Sequence, residues 1–120
     1  MSMIETPLMR GLSRLLDLSA FRQQLIASNL ANVDTPGYRT RDLGPFAGEI
    51  EQAMAGEQQP LAPVARRMRG LMERPDGNNV SVERESLLMA ENQLRFQVAA
   101  QFLKAEFHRL STAINGGGAS

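Results

Sequence analysis

The chain has 120 residues, 13 basic and 13 acidic side chains, one His, no Cys and no Trp; 42% of it is hydrophobic and 5% aromatic. That length allows one ordinary domain, and the lack of Cys excludes a disulfide scaffold, a thiolate metal site and a cysteine nucleophile. A net charge of zero argues against nucleic-acid binding by bulk electrostatics, and a single His108 excludes a multi-His metal site within one chain.

The first residues, Met1 to Thr6, carry no basic region followed by an apolar stretch and a cleavage site, so no cleaved secretory signal is expected. No apolar run approaches the roughly 20 residues of a membrane-spanning helix. Three zones follow: 1–39, 40–79 and 80–120.

Residues 6–33 read as a helix. Thr6 is placed to cap it and Pro7 sits at the first helical position, where a missing N–H costs nothing. Leu8, Leu12, Leu15, Leu16, Leu18, Phe21, Leu25, Ile26, Leu30 and Val33 recur at helical spacing. They cover an arc of roughly 200°, wider than the ~100° stripe of a helix docked on one core. Such a helix needs neighbours on more than one side. Asn29 and Asn32 lie near this face, where a polar residue can set the register of a helical seam; the plainer reading is a helix-end or surface position. The helix should stop near Val33. Thr35 precedes a proline, and Thr35-Pro36-Gly37-Tyr38 carries the central residues of a type II turn.

Residues 40–79 are broken by Gly and Pro. Phe46, Ile50 and Met54 suggest a short helix over 46–55. Residues 58–63 read as extended linker, and 64–74 are open between strand and helical turn. Arg66, Arg67, Arg69 and Arg74 form a basic cluster with no interleaved aromatic, which reads as a solvated or salt-bridging segment.

Asp76-Gly77-Asn78-Asn79 is a turn signal. Ser81 can cap a second long helix reaching about Asn115, with Glu83 and Glu85 in its first turn and Gly116, Gly117 and Gly118 ending it. Its apolar residues form two stripes. One holds Val82, Met89, Phe96, Ala100, Leu103, Phe107, Leu110 and Ile114, with heptad spacing from Phe96 onward. The other holds Leu87, Leu94, Val98 and Phe102. A two-helix hairpin covers one stripe. Burying one Leu or Phe is worth roughly 1.5–3 kcal/mol, so the uncovered stripe points to an obligate oligomer or a polymer subunit. The competing reading folds the middle zone back over it.

The expected fold is therefore all-α: two long terminal helices in an antiparallel hairpin or coiled coil, joined by an irregular middle segment. His108 reads as a solvated helix-surface residue. No catalytic, cofactor-binding or metal-binding set emerges, and no nucleic-acid or small-molecule partner is expected.

The run Ala27-Ser28-Asn29-Leu30-Ala31-Asn32-Val33-Asp34-Thr35-Pro36-Gly37-Tyr38 resembles the N-terminal signature of bacterial flagellar rod and hook proteins. The run Asp34 to Asp42, the short length, Asp76 to Val80, and Glu83-Arg84-Glu85 resemble the proximal rod members of that family, with the sister rod type FlgC as the nearest alternative. The resemblance implies a structural subunit, not an enzyme, whose terminal helices pack beside those of neighbours and which transmits torque. It implies Asn29, Asn32, Thr35, Pro36, Gly37 and Tyr38 as assembly-motif residues. It further implies partners among copies of itself, other rod proteins, the FliE adaptor, the MS ring and the export gate. The implied location is the basal body on the periplasmic side of the inner membrane, reached by type III export without a cleaved signal. Without the resemblance, a cytoplasmic coiled-coil adaptor meeting an acidic partner through Arg66 to Arg74 is the reading from another class.

Overall fold

A computed structural model describes residues 5–59 and 62–116. Its elements in chain order are α1 (Pro7–Ala31), β1 (Arg41–Leu43), α2 (Ala47–Met54), β2 (Ala65–Arg67) and α3 (Val82–Gly116). The chain is mostly helical. The all-α expectation is corrected by the ribbon of β1 and β2. These strands pair antiparallel, with Arg41 opposite Arg67 and Leu43 opposite Ala65. The middle segment had no long periodic run to announce a strand, and three residues are too few to show one.

The helix boundaries follow local chemistry. Thr6 Oγ1 accepts the Met9 N–H at 3.1 Å and Pro7 opens the first turn of α1. Ser81 Oγ does the same for the Arg84 N–H at 3.1 Å and starts α3. Gly117 and Gly118, read as part of the helix stop, lie outside the described residues, as do Pro60 and Leu61 of the expected linker.

The wide apolar arc of α1 is divided between two neighbours. Leu18, Leu25 and Phe21 cluster with Leu43 of β1, Phe46 and Ile50 at α2, and Ala65 of β2. Arg10 ties α1 to the end of α2, donating to Ala53 O and Met54 O at 3.0 and 2.7 Å. These are carbonyls at a helix C-terminus, where a cation is favoured. On its other side α1 meets α3, running antiparallel to it. Asn29 faces Glu85 near one end, and Ser19 faces Asn92 further along.

The seam with α3 is more polar than the periodicity implied. The buried residues of α3 are Glu85, Asn92 and Ala99, seven apart; Met89 and Leu103 are half-buried. Of the expected seam stripe, Val82, Phe96, Phe107 and Ile114 are exposed, while Leu110 is half-buried. For Phe107 and Ile114 the reason is length; Val82 is the first residue of α3, and Phe96 lines the open side of the α1–α3 seam. The 25 residues of α1 span about 37 Å and the 35 of α3 about 52 Å at 1.5 Å each. The last turns of α3 therefore extend past the described end of α1. The middle segment lies over α1, not over the second stripe: Leu87, Leu94 and Phe102 are 61, 63 and 61% exposed.

Candidate functional site

The signature segment Ala27–Tyr38 forms one end of the hairpin. Its residues make the last turn of α1 and the turn that follows. Asn32 closes the helix: its backbone N–H donates to Ser28 O, and its Nδ2 donates to the same carbonyl at 2.8 Å. Thr35 Oγ1 donates to Asn32 Oδ1 at 3.0 Å. The Tyr38 N–H returns to Thr35 O at 3.2 Å, with Gly37 at φ 75°. That positive φ is the one a type II turn needs at this position.

The Asp76–Val80 turn docks onto this one. Gly37 N donates to Asp76 O at 2.8 Å. A Cβ on Gly77 would sit 3.3 Å from the Gly37 Cα, so the missing side chain of Gly77 lets the two backbones approach. Asn78 is fully buried. Its Nδ2 donates to both Asn32 O and Thr35 O at 2.8 Å, and its Oδ1 accepts the Val80 N–H at 2.7 Å. Asn79 Oδ1 accepts the Thr40 N–H at 2.7 Å. Arg74 bridges the two segments, donating to Val80 O and Val33 O. The Asn-Asn pair is thus a second half of the motif, joining the chain after α1 to the chain before α3.

Asn29 is the hub. It is 1% exposed. Its Nδ2 donates to Arg41 O and to Glu85 Oε1, both at 2.9 Å. Its Oδ1 accepts the Arg41 N–H and the Tyr38 hydroxyl, each at 3.1 Å. One side chain therefore fixes α1, the turn, β1 and α3. Tyr38 serves its own chain, its hydroxyl also lying 3.2 Å from Ser28 Oγ.

Around this hub lies a charged cluster. Arg22 grips Asp42 with two bonds at 2.9 and 2.8 Å. Arg84 reaches Glu85 Oε1 at 3.1 Å and Asp42 Oδ2 at 3.5 Å. Burial pushes the Glu85 carboxyl above the ordinary carboxylate range, against the pull of Arg84 and of the Asn29 amide. Glu85 Oε2 is buried with no hydrogen-bond partner among the described residues. Phe46 lies under both Arg22 and Arg95, at 5.6 and 5.8 Å from its ring centre. Those stacks connect α1 and α3 across the ribbon side.

The cluster is a joint, with every charged group held by a structural partner. Among the described residues there is no group of His, Asp or Glu placed to hold a metal ion. His108 is exposed on α3. No described helix is long and apolar enough to cross a membrane. Asn29, Asn32, Thr35, Gly37 and Tyr38 all take part in the joint, and Pro36 is exposed at the tip of its turn. Leu87, Leu94, Val98 and Phe102 lie along α3, away from it. The residues that sequence reasoning missed as parts of the joint are Asn78, Asn79, Arg22 and Asp42. The first two stood inside a recognised turn signal and Asp42 at the end of the run that resembles the proximal rod members; Arg22 gave no local sign.

Residues 9–39, which hold α1 and this turn, match the family model described as flagella basal body rod protein. The chain is 29% identical to the flagellar basal body rod protein FlgB of Salmonella typhimurium, over 85% of its own length and 88% of that protein. It is equally similar to the FlgB of Escherichia coli, and 25% identical to that of Bacillus subtilis over 90% and 93% of the two chains. The chain is thus similar to flagellar basal body rod proteins over most of its length. The matched segment holds α1 and the Thr35–Tyr38 half of the joint, and the likeness to the FlgB proteins covers most of the chain.

Proposed function

We propose that this chain is a structural subunit of the proximal rod, assembling through α1 and α3 and passing torque from the motor. The observation that carries this is the pairing of a rigid joint with an unfinished surface. Asn29, Asn78 and the Arg22–Asp42 pair hold the two long helices in one relation. The same helices leave Leu87, Leu94, Val98, Phe102, Phe107 and Ile114 exposed. A stiff unit with uncovered apolar faces is what a load-bearing polymer requires of its subunit.

On this reading Asn29, Asn32, Thr35, Pro36, Gly37 and Tyr38 hold the exit of α1, and the α3 stripes meet neighbouring subunits. The neighbours are copies of the chain, other rod proteins of the FlgC type, and, toward the membrane, the FliE adaptor, the MS ring and the export gate. The site of assembly is the periplasmic side of the inner membrane, reached by type III export without cleavage of a signal. The resemblance of the 27–38 signature supports these partners and this route.

Fractionation tests the reading. An epitope-tagged chain should co-purify with detergent-extracted basal bodies, and a deletion strain should assemble no rod and lose motility. A chain that stays wholly in the soluble fraction of a motile cell would overturn it.

A further inference from the structure

The β1–β2 ribbon gathers positive charge that nothing in the chain balances. Arg41, Arg66 and Arg67 stand on its two strands and Arg69 just beyond, all of them exposed. Among the described residues none of these arginines meets a carboxylate. Every other arginine of the chain is held by a carboxylate, a main-chain carbonyl or an aromatic ring of the same chain. Arg41 lies directly opposite Arg67 in the register, and like charges in that relation destabilise a strand pair. A cleft of about 790 Å³ opens beside them, lined by Arg39, Arg66, Arg67, Arg69, Glu73 and Asn79 among others. Its one acid, Glu73, is already paired with Arg39.

The backbone of β2 is unfinished at the same place. Arg41 gives its N–H and C=O to Asn29, and the Leu43 N–H goes to Asp42 Oδ1. Thr40 O accepts the Met68 N–H at 2.9 Å. Bonded and non-bonded residues alternate along an antiparallel ladder, so β1 meets this segment through Thr40 and Asp42. The N–H and C=O groups of Ala65 and Arg67 therefore point away from β1. No strand lies beyond β2, and no described residue supplies a hydrogen bond to these outward groups. A bare edge of this kind is a template for a further strand.

A charge on an edge often serves only to keep other strands away. One arginine would do that. An opposed pair with two more arginines beside it exceeds the need, and the repulsion within the group is relieved by negative charge. The strand that fits is therefore acidic. A second copy of β2 would bring arginine against arginine. Anionic lipid would neutralise the charge but offers no alternating N–H and C=O groups to the edge.

We propose that the outer edge of β2 receives an extended acidic segment of a different protein as a third strand. Its main chain pairs with Ala65 and Arg67, and its carboxylates face Arg41, Arg66, Arg67 and Arg69. This goes beyond the rod reading and does not depend on it, since the purified chain alone tests it.

The probe is a short fluorescent peptide alternating glutamate and valine, titrated into the purified chain. Bound peptide should slow amide hydrogen exchange at Ala65 and Arg67, and binding should weaken as salt rises. Arg66→Glu combined with Arg67→Glu should lower affinity by about tenfold or more. Arg67→Pro removes an outward N–H without touching the ladder and should lower affinity further than Arg67→Ala. Where a variant fails to fold, the exchange measurement on the parent decides by itself. Failure of the peptide to bind, unchanged exchange at Ala65 and Arg67, or equal binding by a lysine–valine peptide or by the same peptide with every amide methylated would each overturn the proposal. Phosphatidylglycerol vesicles that bind the chain where the peptide does not would overturn it in favour of a membrane surface. The rod reading stands or falls by fractionation, whichever of these results is found.

Discussion

Asn29 spends all four of its hydrogen-bonding positions on three other segments: Arg41 twice, Tyr38 and Glu85. Asn29→Ala leaves a buried carboxylate oxygen and two backbone groups short of a partner. A loss of about 2–4 kcal/mol in unfolding free energy is expected from denaturant titration. Gly37 has open space around it, so the difficulty for a side chain there is conformational. Gly37→Val must adopt φ near 75° as a β-branched residue, at a cost of about 1–3 kcal/mol. The same variant should reduce swimming on soft agar, and normal motility would count against the role given to the turn. Glu85 titrates higher in the fold than in the unfolded chain because burial penalises its charge. Its contribution is therefore fully favourable below the ordinary carboxylate range and is lost as pH rises through its raised value. Glu85→Gln should melt with the parent in acid and progressively above it toward neutrality. Parallel melting curves across that range would show that Glu85 is not the group responsible.

At the scale of elements, the short seam between α1 and α3 is set by small and polar residues. Ala99 is 1% exposed on the buried line of α3 that also holds Glu85 and Asn92. Ala99→Leu inserts three carbon atoms into that contact and should destabilise the hairpin by about 1–3 kcal/mol, measured by thermal loss of helical circular dichroism. An unchanged melting temperature would mean the seam is looser than the packing shows. Both long helices, their caps, the Thr35–Tyr38 turn and the short α2 were legible from periodicity and local chemistry. The β1–β2 ribbon was not, because it depends on partners 22 residues apart, Leu43 and Ala65, with no alternating run in either. The composition of the seam was also hidden. Apolar spacing marked Met89, Phe96 and Leu103, but the buried line of Glu85, Asn92 and Ala99 is defined by what faces it on α1. Asn29 and Tyr38 stood out through the signature; Arg22 and Asp42 join them only because β1 crosses α1.

On the scale of the whole molecule, this is an elongated body of 69 × 25 × 21 Å with more exposed large hydrophobic side chains than buried ones. Its firm part is the joint and the three-layered contact of α2, the ribbon and α1. Its unfinished parts are the outer face and far end of α3 and the open side of the α1–α3 seam. Zero Cys and near balance of charge suit a chain whose cohesion comes from neighbours rather than from cross-links or steering fields. The most direct measurement of that account is a density map of the intact basal body at a resolution that separates helices. The expected result is a ring of α1–α3 hairpins at the base of the rod, with the exposed Leu87–Phe102 face of each covered by a neighbouring subunit. Hairpins absent from the rod, or present with that face turned to solvent, would contradict it.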